Sequence, residues 1–168
     1  MESPFNSPKK IFTLDEIKDR MAKYCLYQDR CHWEIELKLR EFDLIPEAKE
    51  EVISKLYQYG FINEERFTLQ FVRGKFNQKK WGRNRLRMEL KKRQIPEKMI
   101  QNAFHSEIDL DQYDNTLRNL TQKKYESLKS ERDSYKKQQK IKNYFYSDCF
   151  GRFATIQKFQ THQCDDGF

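Results

Sequence analysis

Glycine and proline are scarce in this chain: five and four among 168 residues, mostly isolated. A β-rich fold needs frequent turn residues with β-branched runs between them, and neither is present. Long apolar runs are also missing, since no stretch approaches the roughly 20 residues of a membrane span. Met1 to Lys10 is polar with two prolines and has no apolar core of a secretion signal. The expectation is a cytoplasmic protein without a membrane partner. Its four cysteines, Cys25, Cys31, Cys149 and Cys164, are then expected as reduced thiols.

Cysteine and histidine also fail the spacing test for a metal. Cys25, Cys31 and His32 form C-x5-C-H, and His162 with Cys164 forms H-x-C. Structural zinc prefers paired ligands two to four or three to five residues apart. Cys25 falls on an apolar helix face, where a small core residue is the simpler reading. No G-x-x-x-x-G-K, G-x-S-x-G or H-E-x-x-H occurs, and the histidines are scattered at 32, 105 and 162. The acidic pairs Glu34/Glu36 and Glu50/Glu51 lie on charged amphipathic stretches, where such pairs are solvated faces. Nothing here points to an enzyme, a cofactor or a metal.

Aromatic residues and charge are abundant. Thirteen Phe, nine Tyr and two Trp supply large apolar areas to bury, and 35 % of the residues are charged. The expected fold is therefore all-α, with thin aromatic cores and a large solvated surface, as in an elongated array. The net charge of +7 is unevenly placed. Residues 1–70 hold 11 basic and 14 acidic side chains, and residues 94–168 hold 12 and 11. Residues 71–93 hold ten basic side chains against the single acid Glu89. A field of one sign over so short a segment concentrates phosphates and implies a polyanionic partner.

The helices can be placed by their caps and apolar spacing. Thr13 to Glu16 is a capping box, followed by Leu14, Ile17, Met21, Tyr24 and Cys25 at helical intervals. Trp33 to Phe42 fits a second helix with Trp33, Leu37 and Leu39 inward. Pro46 suits the first turn of a third, running through Val52, Ile53 and Leu56 to Tyr59, with Gly60 as a left-handed stop. Asn63 caps the next, whose apolar stripe is Phe67, Phe71, Val72 and Phe76. Trp81-Gly82 breaks it. A helix over 83–93 follows with Leu86 and Leu90 inward, and Ile95-Pro96-Glu97 starts another with Ile100 and Phe104 buried. Long helices over about 109–128 and 132–147, a corner at Phe150-Gly151 and a short helix over about 151–161 complete the reading.

A weak repeat runs through these elements. Leu44-Ile45-Pro46-Glu47 recurs as Gln94-Ile95-Pro96-Glu97, and Cys149-Phe150 with Ile156 marks a third copy. The expected organisation is a tail over 1–12, three-helix units over 13–60, 61–107 and 108–164, and a frayed end over 165–168.

The candidate binding residues are Arg73, Lys75, Lys79, Lys80, Arg83, Arg85, Arg87, Lys91, Lys92 and Arg93. Arg83, Arg87, Lys91 and Lys92 are expected to project toward one outer side, opposite Leu86 and Leu90. Gly82 and the loop Asn77 to Lys80 are expected to offer free amides to an anion ahead of a helix N-terminus. Trp81 and Phe76 could stack on a base, although Trp81 packed over the corner is the more ordinary reading. None of these residues forms a base-reading pattern, so little sequence specificity is expected.

The middle of the chain resembles a known family. Leu56, Gly60-Phe61-Ile62-Asn63, Arg66-Phe67, Phe71-Val72, then Gly82, Leu86, Glu89-Leu90 and Ile95 are spaced as in the bacterial regulatory protein RecX. Glu36-Leu37-Lys38-Leu39 resembles the first repeat of that family loosely. Lys140-Ile141 and Cys149-Phe150 resemble the third, with Cys where Gly is usual. The resemblance implies a curved array of three tandem three-helix repeats that binds the RecA recombinase and its filament on single-stranded DNA, with duplex DNA as a further candidate. It implies inhibition of filament growth, ATPase and strand exchange; a monomer is the separate expectation. It also implies that Gly60, Phe61, Phe67, Gly82, Leu86 and Leu90 build corners and cores, and that Arg66 and Glu89 either pair or stand exposed. The charge map adds an alternative, direct DNA binding through helix-turn-helix-like units.

Overall fold

The computed structural model describes residues 12–147, and every regular element among them is an α-helix. The chain divides inside its fourth helix into two compact units, Met1–Phe67 and Thr68–Phe168. No described helix is long and apolar enough to cross a membrane.

The first unit holds α1 (Leu14–Tyr27), α2 (His32–Leu39) and α3 (Pro46–Gln58). The capping box forms: the Glu16 amide donates to Thr13 Oγ1 at 3.3 Å, and the Thr13 amide donates to Glu16 Oε2 at 2.8 Å. Helix α1 packs on α3, and Ile17, Met21, Cys25, Ile35, Leu39, Val52, Leu56 and Ile62 form one core. The inward face of α2 differs from the sequence expectation. It consists of Ile35 and Leu39, whereas Leu37 is 46 % exposed. The cause is Cys31, which is fully buried at the N-cap. Once Cys31 is inside, positions i+4 and i+8 point the same way, and these are Ile35 and Leu39. Helix α2 also stops at Leu39, before Phe42.

Burial pushes the Cys25 thiol up to about 11 from an ordinary 9, with nearby Arg30 pulling the other way. The folded state thus favours the neutral thiol. This stability is fully present below about pH 9 and lost as pH rises toward about 11. Chemical denaturation from pH 8 to 11 should show that loss in the native chain, and Cys25→Ala should remove this component from the profile.

The second unit receives α4 (Glu64–Lys79) across the division and holds α5 (Arg83–Lys92), α6 (Glu97–Glu107), α7 (Leu110–Ser127) and α8 (Ser134–Ser147). Asn63 caps α4, accepting the Arg66 amide at 2.8 Å. Asp109 caps α7, accepting the Gln112 amide at 2.9 Å. Val72, Phe76, Leu86, Leu90, Ile100 and Phe104 are buried as the sequence indicated, and Ile95 and Thr68 join them at 2 % and 1 % exposure. Phe71 is only half-buried. Helix α5 packs on α6 and α7 on α8, the latter around Leu117 and Ile141 with Tyr113, Leu120, Leu128 and Tyr144. The expected corner at Phe150-Gly151 and helix over 151–161, with Cys149, His162 and Cys164, lie outside the described residues.

Helices α3 and α5 end in the same way. The Phe61 amide reaches Leu56 O at 2.9 Å around Gly60 at φ +69°, and the Ile95 amide reaches Leu90 O at 3.1 Å around Gln94 at φ +62°. This is the left-handed cap in which glycine is favoured. Gln94 lacks that freedom, so Gln94→Gly should raise stability by about 0.5–1 kcal/mol, read as a higher denaturation midpoint. The starts of α3 and α6 correct the repeat alignment by one residue. Pro46 is the first residue of α3, but Pro96 is the N-cap of α6. Ile45 is accordingly 65 % exposed while Ile95 is 2 % exposed, and Leu44 packs inward in the place Ile95 takes.

A basic face sorted by rings and acids

The ten basic residues of 71–93 are not equivalent once folded. On α5 they fall on two shoulders either side of the buried Leu86 and Leu90. Arg83, Arg87 and Lys91, four apart, form one shoulder beside α6 and α7, with Arg83 and Arg87 half-buried and Lys91 exposed as expected. The Arg83 guanidinium lies 5.0 Å over the Tyr113 ring, and its Nε is buried without a hydrogen-bond partner. Arg87 lies 5.6 Å over Phe104 and donates to Glu97 at 3.0 Å. Lys91 completes the cluster, 2.9 Å from the same carboxylate. The hydrogen bond from Lys91 leads in holding the Glu97 carboxyl below the usual range, and Gln101 helps.

The other shoulder is Arg85, Glu89 and Arg93, and it meets α4. Arg93 is 5.0 Å over Phe71 and donates to Glu89 at 2.8 Å. That bond is the main reason the Glu89 carboxyl sits below its ordinary value. Phe71 and Trp81 meet edge to face at 6.3 Å. Arg85 lies 4.3 Å over Trp81, and Lys75 is 5.4 Å from Trp81 and 5.7 Å from Phe71. Two rings thus carry three cations. Cation–ring attraction holds these groups in place, and Arg93 is held further by its bonds to the Glu89 carboxylate and carbonyl. Trp81 therefore takes the corner-packing role, while Phe76 is buried and stacks on Tyr113 at 5.9 Å.

Arg73 belongs elsewhere. It grips the buried carboxylate of Glu107 through two bonds, at 2.6 and 3.0 Å, which raises its own pKa. Lys79, Lys80 and Lys92 are exposed, with no acidic partner at ion-pair distance among the described residues.

The expected amide cradle does not form. Residues 77–79 are the last turn of α4, and the amides of Lys80 and Trp81 close that helix on Phe76 O and Lys75 O at 3.1 and 3.2 Å. The N-terminus of α5 is taken by Tyr113, whose oxygen receives the Arg83 backbone amide. Burial raises the Tyr113 pKa, and that bond partly offsets it. Arg66 and Glu89 are not partners: Arg66 pairs with Asp29 at 2.7 Å and Glu89 with Arg93. His32 stacks on Tyr57 at 5.9 Å and lies 3.3 Å from Glu36. Glu97, Glu107, Phe104 and Tyr113, which decide how the cations are divided, carry no local sequence signal for that role.

Fold and site together define an all-helical protein of tandem three-helix repeats with a cation-rich segment over residues 71–93. Residues 63–103 match the family described as RecX, second three-helix domain. The chain is 30 % identical over 114 residues to the regulatory protein RecX of Caldanaerobacter subterraneus subsp. tengcongensis, covering 68 % of this chain and 53 % of that protein. It thus spans about half the length of the curated relative it matches. Two solved structures share its fold. The crystal structure of a regulatory protein RecX superposes with a TM-score of 0.75 at 22 % identity, covering 84 % of this chain and 70 % of that one. RecX from Lactobacillus salivarius gives 0.74 at 23 %, covering 88 % and 95 %. Residues 63–103 are thus those of a RecX second three-helix domain.

Proposed function

We propose that this chain binds a RecA-type recombinase filament on single-stranded DNA and lowers its growth, ATPase and strand exchange, acting by binding and not by catalysis. It does so as a cytoplasmic monomer of three-helix units over 13–60, 61–107 and 108–164, the second carrying the DNA contacts. The observation that carries this reading is the Phe71–Trp81 platform with Lys75, Arg85 and Arg93 held on its rings. The positive charge gathered there attracts phosphate, and the exposed Lys79, Lys80 and Lys92 beside it supply the direct contacts. With both rings engaged by cations, phosphate contact prevails over base stacking, so little sequence preference follows.

The test is to assemble RecA on single-stranded DNA with ATP, add this protein well below the RecA concentration, and follow ATP hydrolysis. Progressive loss of activity at substoichiometric protein is the expected result. Competition for DNA alone would require near-stoichiometric amounts. Unchanged hydrolysis, with tight binding to bare DNA in the same buffer, would replace this reading by direct DNA binding.

A further inference from the structure

The sequence up to residue 70 carries more acid than base, yet one cleft of the first unit reverses that sign. It has a volume of about 410 Å³ and lies beside α1 and α2. Phe12, Met21 and Phe42 supply its apolar lining, and Arg20, Lys23 and Lys38 its charge. The acid there is Glu41, and both its oxygens accept from Lys38 Nζ, at 2.8 and 2.7 Å. Arg20 and Lys23 have no acidic partner among the described residues. In the same unit Lys18 is paired with Glu51, Arg30 with Glu34 and Arg66 with Asp29. Two unpaired cations therefore share one cleft in a unit where acids are plentiful.

The lining narrows the chemistry of a ligand. Phe12 and Phe42 meet edge to face at 5.8 Å, and the Arg20 guanidinium lies 4.1 Å over the Phe12 ring. Met21 is 1 % exposed, so it forms the floor. An apolar ligand would cover the rings but leave Arg20 and Lys23 unanswered. Inorganic phosphate would do the reverse. A planar ring bearing phosphate satisfies both, with the base against Phe42, since Arg20 already lies over Phe12, and the phosphate on Arg20 and Lys23. Lys38 can join by exchanging Glu41, because an exposed ion pair of this kind contributes little. Ligand sites run from roughly 300 to 1,000 Å³, so this cleft suits one nucleotide.

We infer that the cleft binds a nucleoside phosphate, either free or as the phosphorylated end of a nucleic-acid strand. This site is separate from the platform on residues 71–93 and does not depend on filament binding.

Isothermal titration of the full chain with ATP, inorganic tripolyphosphate, and an oligonucleotide with and without a 5′-phosphate tests the inference. ATP should bind more tightly than tripolyphosphate. Arg20→Glu with Lys23→Glu should weaken ATP by at least about tenfold, the scale of one charged hydrogen bond, while Lys75→Glu with Arg85→Glu leaves it unchanged. Both Arg20 and Lys23 are exposed, so the fold should survive, as circular dichroism would verify. Phe42→Leu should weaken ATP but not tripolyphosphate. A preference for the 5′-phosphorylated oligonucleotide that disappears in the Arg20/Lys23 variant identifies a strand end as a ligand, and ATP binding alone identifies free nucleotide. Absence of binding to ATP and to either oligonucleotide overturns the inference. So does ATP binding that ignores Arg20 and Lys23, equal affinity for ATP and tripolyphosphate, or capture of an acidic peptide in preference to ATP. Loss of filament binding in the Lys75/Arg85 variant with ATP binding intact separates this site from the proposed function.

Discussion

Replacing Lys79, Lys80 and Arg85 together by Glu should lower affinity for a recombinase filament on single-stranded DNA by on the order of a hundredfold, at about 1 kcal/mol per exposed charged contact. The log–log salt slope should fall by about two, since each phosphate contact on a single strand contributes about 0.7. Lys79 and Lys80 are exposed, so the stability cost should be small and confined to Arg85, which lies 4.3 Å over the Trp81 ring. The companion triple, Arg83, Arg87 and Lys91 to Glu, should behave in the opposite way. It places carboxylates over the Tyr113 and Phe104 rings and beside Glu97, so like charges replace two ion pairs. A loss of stability is expected there, mainly from Arg83, whose Nε is buried, since the Glu97 pairs are exposed and contribute little. Anisotropy titrations at several salt concentrations, paired with urea denaturation, separate the two cases. If the second triple removed filament binding at full stability and the first did nothing, the interface would lie on the α6–α7 side.

Phe76→Ala should cost about 3–5 kcal/mol, the usual range for a large buried aromatic. Phe76 is 1 % exposed and stacks on Tyr113 with the rings 18° from parallel. It thus joins α4 to α7 as well as filling the core. Tyr113→Phe keeps that stack and deletes the oxygen that receives the Arg83 amide. It should cost about 1 kcal/mol, as for a lost helix cap. Urea midpoints at unchanged slope report both values. A Phe76→Ala cost near that of Tyr113→Phe would show that the stack contributes nothing beyond the cap.

The elements themselves were legible in the sequence wherever a local signal existed. The capping box at Thr13, the Asn63 cap, the stop at Gly60 and the break at Trp81-Gly82 depend on side chains a few residues apart, and all occur where expected. Periodicity failed once, on α2. There the decisive residue was Cys31, whose burial puts Ile35 inside with the expected Leu39 and leaves Leu37 exposed. An eight-residue helix offers two apolar stripes of similar quality, and only packing chooses between them. The repeat was visible but misaligned by one residue. The proline that carries the visible motif is not the residue that carries the geometry.

The candidate binding face shows the same division. Composition alone located the ten cations of 71–93 and the single acid among them, because charge is a sum over residues and needs no coordinates. Which cations stay available is decided by partners far along the chain: Glu97 for Arg87 and Lys91, Glu107 for Arg73, and Tyr113 for Arg83. The sequence by itself determined helix positions, charge and the family resemblance. The tertiary structure decided which charges meet acids and which rest on rings, because an ion pair or ring contact is a distance between residues that only packing sets.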